Sequence, residues 1–174
     1  MKHRAPVVIA PYSDDWRCQF QEEERLIRTV LPEHVALEHI GSTSIPDMAA
    51  KPIIDMMLGA DSLREVEKLI PGLQRLGYEY MPQHELEIPE RRFFAKPQVR
   101  PRQFHLHGLV KDGRLWHEHL RFRDRLRQDP KSATRYAELK RELAQHYGDD
   151  RADYTNAKSS FITNIICGSG ASEA

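Results

Sequence analysis

The chain has 174 residues, of which 40% are hydrophobic and 30% charged, and its formal net charge is zero. This composition is typical of a globular protein long enough to bury a core, and it differs from that of a disordered chain. The balanced charge provides no overall field that would attract nucleic acid or an anionic membrane, so we expect neither as a partner.

The N-terminal segment and the two cysteines predict a cytoplasmic protein. The basic start of the chain is followed by four apolar residues, 7–10, which are too few for a signal peptide or a membrane span. Cys18 and Cys167 lie far apart and lack the spacing of metal ligands, so we expect both thiols to be reduced.

The first part of the chain predicts a helix followed by two strands. Ser13 can cap a helix with an apolar stripe, and Pro32 marks its end. Residues 35–40 are expected to form a short strand. Residues 53–58 form a nearly continuous apolar run, which is typical of a strand in the interior of a sheet.

The remainder predicts one more helix, three strands and a helical C-terminal half. The capping box Ser62-x-x-Glu65 should open a helix that Gly77 closes. Residues 78–80, 91–95 and 104–110 have strand patterns, and three helices follow, the second begun by Asp129-Pro130. This order predicts an α+β domain over residues 1–174, with a core at 33–112 and helices at 114–167.

A Gly-Ser turn after the first strand precedes an acid on the second strand. Backbone N–H groups freed by the turn at Gly41 and Ser42 could bind a phosphate, together with Thr43 and with Lys51 further on. Asp55 on the neighbouring strand could hold Mg²⁺ against that phosphate. The alternative is a tight turn before a buried strand whose acid is hydrogen-bonded locally.

Several segments together resemble the GrpB-like family, a predicted branch of the nucleotidyltransferase superfamily. The matching segments are residues 39–46, 49–55, 92–94, 104–107, 119–124 and 154–162, so the resemblance covers nearly the whole chain. It implies a polymerase-beta-type mixed sheet with flanking helices, and nucleotidyl transfer from a nucleoside triphosphate. Asp47 stands where the family motif carries Gly, a residue that suits a positive φ.

Two histidines could complete a metal site with Asp55. His105 and His107 are two apart on one predicted strand, so both rings should leave the same face. With Asp55 they could bind Mg²⁺ or Mn²⁺, or Zn²⁺. Alternatively, one is a core histidine and the other its hydrogen-bonded neighbour. The resemblance implies a second acid at position 57, where this chain has Met57, and this argues against two-metal catalysis.

Further basic and histidine residues could belong to the same site. Lys158, on the apolar face of the last helix, could contact a phosphate or could extend past the helix edge into solvent. Arg92 and Arg100 belong to a basic hairpin loop and could clamp an anion, although a solvated loop is the commoner case. On a helix, His117 and His119 point apart, so we expect His119 in the core and His117 in solvent.

The sequence is compatible with three functions. The first is a metal-dependent nucleotidyltransferase that moves a nucleoside monophosphate to a small acceptor, and we favour it because of the histidine pair. The second is a nucleotide- or phosphate-binding module without catalysis, which the missing second acid favours. The third is a zinc-dependent hydrolase built on His105, His107 and Asp55, for which no general base lies nearby in sequence.

Overall fold

The computed structural model describes residues 8–146 and 156–168. Its five strands are β1 Ala36–Ile40, β2 Ile54–Ala60, β3 Glu79–Tyr80, β4 Arg92–Lys96 and β5 Phe104–Val110. They form one sheet in the order β1-β2-β5-β4-β3. The pair β2–β5 is parallel and the other neighbours are antiparallel, so the sheet is mixed and the predicted α+β class is confirmed.

Six helices surround the sheet in the described part of the chain. They are α1 Asp15–Arg28, α2 Leu63–Lys68, α3 Ile70–Arg75, α4 Arg114–Gln128, α5 Pro130–His146 and α6 Ser159–Cys167. Two short 3₁₀ turns occupy Ser42–Ser44 and Pro82–Glu85. Within the described ranges, no helix combines the length and the apolar character needed to cross a membrane.

The single helix predicted for residues 62–77 is wrong, because the structure has two short helices there. Ser62 Oγ accepts a hydrogen bond from the Glu65 N–H at 3.2 Å, so the predicted cap is present. Pro71 lies in the first turn of α3. Because proline has no N–H and its ring crowds the preceding turn, the helix cannot continue through it, and α2 and α3 are separated at Leu69.

The two faces of the sheet are covered by different helices. Residues such as Met56, Leu58 and Phe94 face the main core, which includes Trp16 and Ile27 of α1. The opposite face packs against α4, and it carries a smaller cluster formed by Ile40, Met57, Leu109 and Trp116. Asp55 alone among the residues of β2 is not fully buried, and strand alternation places it on this second face.

The C-terminal helices fold back on the segment that links β1 to β2, residues 41–53. Ile45 and Met48 of this connecting segment pack in one cluster with Phe122, Tyr136 and Ile165. A further tie is a buried hydrogen bond from Lys140 Nζ of α5 to the Ala49 carbonyl at 2.5 Å. The helices therefore hold in place the segment that contains the Gly-Ser turn. The apolar patterns of the C-terminal helices predict that Tyr147 and Tyr154 face inward, and both residues lie outside the described ranges.

Candidate functional site

The structure brings Asp55, His105 and His107 together on one face of the sheet. In the parallel pair β2–β5, Asp55 is aligned with His105 and Met57 with His107. Asp55 Oδ1 lies 3.2 Å from His105 Nδ1 and 3.7 Å from His107 Nε2. The three side chains are 33%, 27% and 12% exposed respectively, so a ligand could reach the cluster from solvent.

The two histidines keep the Asp55 carboxyl ionised. Burial opposes its ionisation, but the hydrogen bond with His105 and the adjacent His107 imidazole outweigh burial and hold the pKa of Asp55 well below its usual range. Burial also lowers the pKa of His107, although the Asp55 charge acts in the opposite direction. The arrangement is therefore a carboxylate next to a neutral imidazole.

The neighbour of His107 on its other side determines its tautomer. Arg91 Nη1 lies 3.5 Å from His107 Nδ1. Because a guanidinium can only donate hydrogen bonds, Nδ1 must be the acceptor, and the ring proton is then on Nε2, facing Asp55. The ring of His119 in α4 lies 5.7 Å from that of His107, and burial lowers the pKa of His119 to about 4. His117 is exposed, as helix geometry predicted.

The site fits a cation held by Asp55 and one histidine, but not by all three residues as they stand. Two ligand atoms on one small ion lie roughly 3–4 Å apart, which matches the separations of Asp55 Oδ1 from each imidazole. Within the described ranges, only His34, Asp61 and Glu65 place three such atoms within 4.8 Å of one another. Asp55 can thus share an ion with His105 through Nδ1, or with His107 only if the Nε2 proton moves to Nδ1 and the contact with Arg91 is lost.

The Gly-Ser turn packs directly against the Asp55 carboxylate. Gly41 has φ 69° and ψ −173°, a conformation that is essentially restricted to glycine. A Cβ atom at this position would lie 2.9 Å from Asp55 Oδ2. The Ser44 and Ile45 N–H groups close the turn on the carbonyls of Gly41 and Ser42, each at 3.2 Å. The N–H groups of Ser42 and Thr43 take no part in these closing bonds.

The Thr43 hydroxyl is occupied by the protein itself. Thr43 is buried, and its Oγ1 lies 3.0 Å from His39 Nε2, while the His39 ring stacks on Phe20 at 4.7 Å. Burial, together with the charge of Arg127, lowers the pKa of His39 to about 4. Ser42 is only half-buried. Ser42 is therefore the better candidate for a hydroxyl that contacts a ligand.

Arg92 lies on the opposite face of the sheet from Asp55. Phe93 is aligned with His107, so Arg92 alternates to the other side. There its guanidinium pairs with Glu67 at 2.8 Å and Glu85 at 3.4 Å. The structure thus separates Arg92 from the other predicted phosphate ligands. The preceding residue, Arg91, reaches the site instead, because it shares a face with Phe93, and that face is known only from the pairing of Phe93 with His107.

Of the two predicted lysines, Lys51 lies within the connecting segment and Lys158 lies at the start of α6. Lys158 is the N-cap residue of α6 and does not lie in the middle of that helix. Burial lowers its pKa, while the charge of Asp55 raises it, so Lys158 is within electrostatic reach of the site. Lys51 is half-buried, and its carbonyl accepts the Ile53 N–H at 2.8 Å. Asp47 has φ 60°, which confirms that the position calls for a residue tolerant of positive φ.

This chain is an α+β protein. Its five-stranded mixed sheet carries an acid-histidine cluster beside a Gly-Ser turn. Residues 6–167 match the family model described as "GrpB protein", and the chain belongs to the GrpB family. It is 33% identical to the "Glutamate-rich protein GrpB" of Alkalihalophilus pseudofirmus, over 94% of this chain and 96% of that protein.

Two further similarities agree with this assignment. The chain is 40% identical to the UPF0157 protein YqkA of Bacillus subtilis over 90% of its own length, but it spans only 45% of YqkA. Among solved structures, the crystal structure of the conserved protein GrpB from Enterococcus faecalis matches with a TM-score of 0.83 and 37% identity. That match covers 92% of this chain and 96% of the other.

Proposed function

We propose that the Asp55 face binds a nucleoside triphosphate with a divalent cation and transfers its nucleoside monophosphate to a small-molecule acceptor. The chain would then be one polymerase-beta-type domain of the nucleotidyltransferase superfamily over residues 1–174. The observation that carries the proposal is the contact between the Gly41 turn and the Asp55 carboxylate. This contact supports the proposal because it puts a turn with backbone N–H donors next to a carboxylate that can ligate a cation.

Each part of the chain has a distinct role in this proposal. Asp55 with His105 or His107 would hold a divalent cation, which could be Mg²⁺, Mn²⁺ or Zn²⁺. The cation would neutralise the charge of the phosphates. The Ser42 hydroxyl and the turn N–H groups would orient the phosphates, with Lys51 and Lys158 adding positive charge. Phosphoryl-type transfer depends mainly on positioning and charge stabilisation, which such an arrangement can provide.

The second candidate is a nucleotide- or phosphate-binding module without catalysis. Met57 stands where the second acid of a two-metal site would be, and its side chain is 0% exposed within the cluster beneath α4. A thioether packed there cannot serve as a hard-cation ligand. Triphosphate binding without turnover would support this candidate over the transferase.

Calorimetric titration with nucleoside triphosphates, each with Mg²⁺, Mn²⁺ or Zn²⁺, tests the binding half of the proposal. Ser42→Ala should weaken binding by about 1 kcal/mol, the scale of one hydrogen bond. Gly41→Val should weaken it more, because the side chain blocks the approach to the turn. Thr43→Val serves as a matched control, since its hydroxyl is already engaged by His39. Unchanged affinity in both turn variants would exclude the turn as the binding site.

Turnover separates the two candidates. Pyrophosphate release from the triphosphate, with a panel of small acceptors, should depend on the cation and should be abolished by Asp55→Asn. Asparagine is nearly isosteric with aspartate, so the fold should persist. Turnover that survives Asp55→Asn would contradict the assigned role of Asp55.

A further inference from the structure

Arg91 carries a charge that the described part of the protein does not neutralise. It lies one residue before β4, half-buried, with its guanidinium 5.1 Å from the centre of the Phe93 ring. Among the described residues, Arg91 makes one hydrogen bond, from Nη1 to His107 Nδ1, at 3.5 Å. Its Nε is buried without a hydrogen-bond partner among the described residues. Exposed Glu87 acts on it electrostatically, but within the described ranges no acid lies within 4.0 Å of it.

Other partly buried arginines of this chain are paired with acids. Arg92 pairs with Glu67 and Glu85, and Arg123 pairs with Glu38 and Asp124. Arg102 also has a buried Nε without a partner, but its guanidinium is already paired with Glu79. Arg91 therefore differs from these arginines because no acid among the described residues pairs with its guanidinium.

The partner that Arg91 does have is a neutral one. His107 Nδ1 accepts from the guanidinium and therefore cannot hold a proton, so the ring carries at most the Nε2 proton and is neutral. A half-buried guanidinium without a counter-charge is unfavourable, and its planar fork matches the oxygens of a carboxylate or a phosphate. The guanidinium also lies on the side of the sheet where Asp55 and the histidines face solvent.

We propose that Arg91 is an anion-binding residue of this site and receives a carboxylate or phosphate group of the substrate beside His107. Because this subsite adjoins the imidazole that contacts Asp55, we assign it to the small acceptor, which would therefore be anionic. That assignment to the acceptor rests on the proposed transferase function, whereas anion binding by Arg91 does not.

Metal-free calorimetry with inorganic phosphate and with succinate as separate probes tests the proposal. The parent protein should bind at least one of them, and the preferred probe distinguishes phosphate from carboxylate recognition. Arg91→Gln should weaken that binding by roughly tenfold or more, as expected for loss of a charge-assisted bidentate contact. Arg91→Lys, which keeps the charge but loses the fork, should show an intermediate loss. Arg92→Gln is the matched control and should bind like the parent.

The unfolding midpoint in urea distinguishes an anion-binding arginine from a purely structural one. Replacing a structural arginine would lower the midpoint. Arg91→Met removes an uncompensated charge, so its midpoint should equal or exceed that of the parent. A large decrease would overturn the proposal, as would a parent that binds neither probe or an Arg91→Gln variant with parental affinity. If the Arg91 variants lose anion binding while the parent protein shows no cation-dependent turnover, the transferase proposal fails and the anion site stands. If turnover depends on Asp55 while the Arg91 variants keep parental anion binding, the anion site alone is rejected.

Discussion

Replacing Gly41 with alanine should destabilise the protein through two separable effects. The backbone conformation at Gly41 is one that residues with a side chain rarely adopt, and forcing it costs about 1–3 kcal/mol. The new Cβ would also lie 2.9 Å from Asp55 Oδ2 and 3.1 Å from Asp55 Cβ. The carboxylate must then shift, which disturbs its charged hydrogen bond with His105, and full loss of that bond costs about 1.5–3 kcal/mol.

The expected total for Gly41→Ala is about 3–5 kcal/mol, or a decrease in Tm of roughly 6–20 °C for a chain of this length. Gly77→Ala is the matched control, because Gly77 has φ 93° but its added Cβ would meet no closer atom than Lys96 Cε at 3.6 Å. This control should lose only about 1–2 kcal/mol, the backbone part of the effect.

Urea unfolding of a double-mutant cycle separates the two effects. The cycle combines Gly41→Ala with Asp55→Gly, which removes every Asp55 atom that the new Cβ would contact. We expect a coupling free energy of at least about 1 kcal/mol between these contacting positions. If Gly41→Ala costs no more than Gly77→Ala and the coupling is zero, the turn does not pack on the carboxylate as described.

Three further changes have defined outcomes. Glu23→Ala should lower the free energy of unfolding by about 3–5 kcal/mol in urea titrations, because the buried Glu23 carboxylate accepts hydrogen bonds from Tyr78 and Lys96. A loss below about 1 kcal/mol would contradict a structural role for this network. Burial lowers the pKa of Lys140 from 10.5 to about 7, so the unfolded chain binds an extra proton between these pH values. In thermal melts, the stability of the parent protein should therefore rise with pH across that interval. The Lys140→Met variant should lack this rise. Lys158→Met should preserve or raise stability while weakening triphosphate binding in calorimetry, and unaltered affinity would remove Lys158 from the proposed site.

The sequence alone determined which residues could meet at the candidate site. Side chains alternate along a strand because of backbone geometry, so the spacing of His105 and His107 already placed both rings on one face. The Asp129-Pro130 cap and the strand boundaries followed in the same way from local rules, and Asp129 Oδ1 does accept the N–H of Lys131 at 3.0 Å. Pro71 is likewise a local signal of a helix break, which the prediction of a single helix over residues 62–77 did not include.

Only the tertiary structure decided which basic and hydroxyl groups serve that site. The sequence pattern predicts Arg92 and not Arg91 as an anion ligand, because neither strand pairing nor the acids opposite each guanidinium can be read from neighbouring residues. Thr43 likewise looked available until the fold placed His39 against its hydroxyl. Alternation and capping are properties of a few consecutive residues. Strand order, burial and the charge around a side chain depend on residues distant in sequence, and these decide whether a polar group is already satisfied or can bind a ligand.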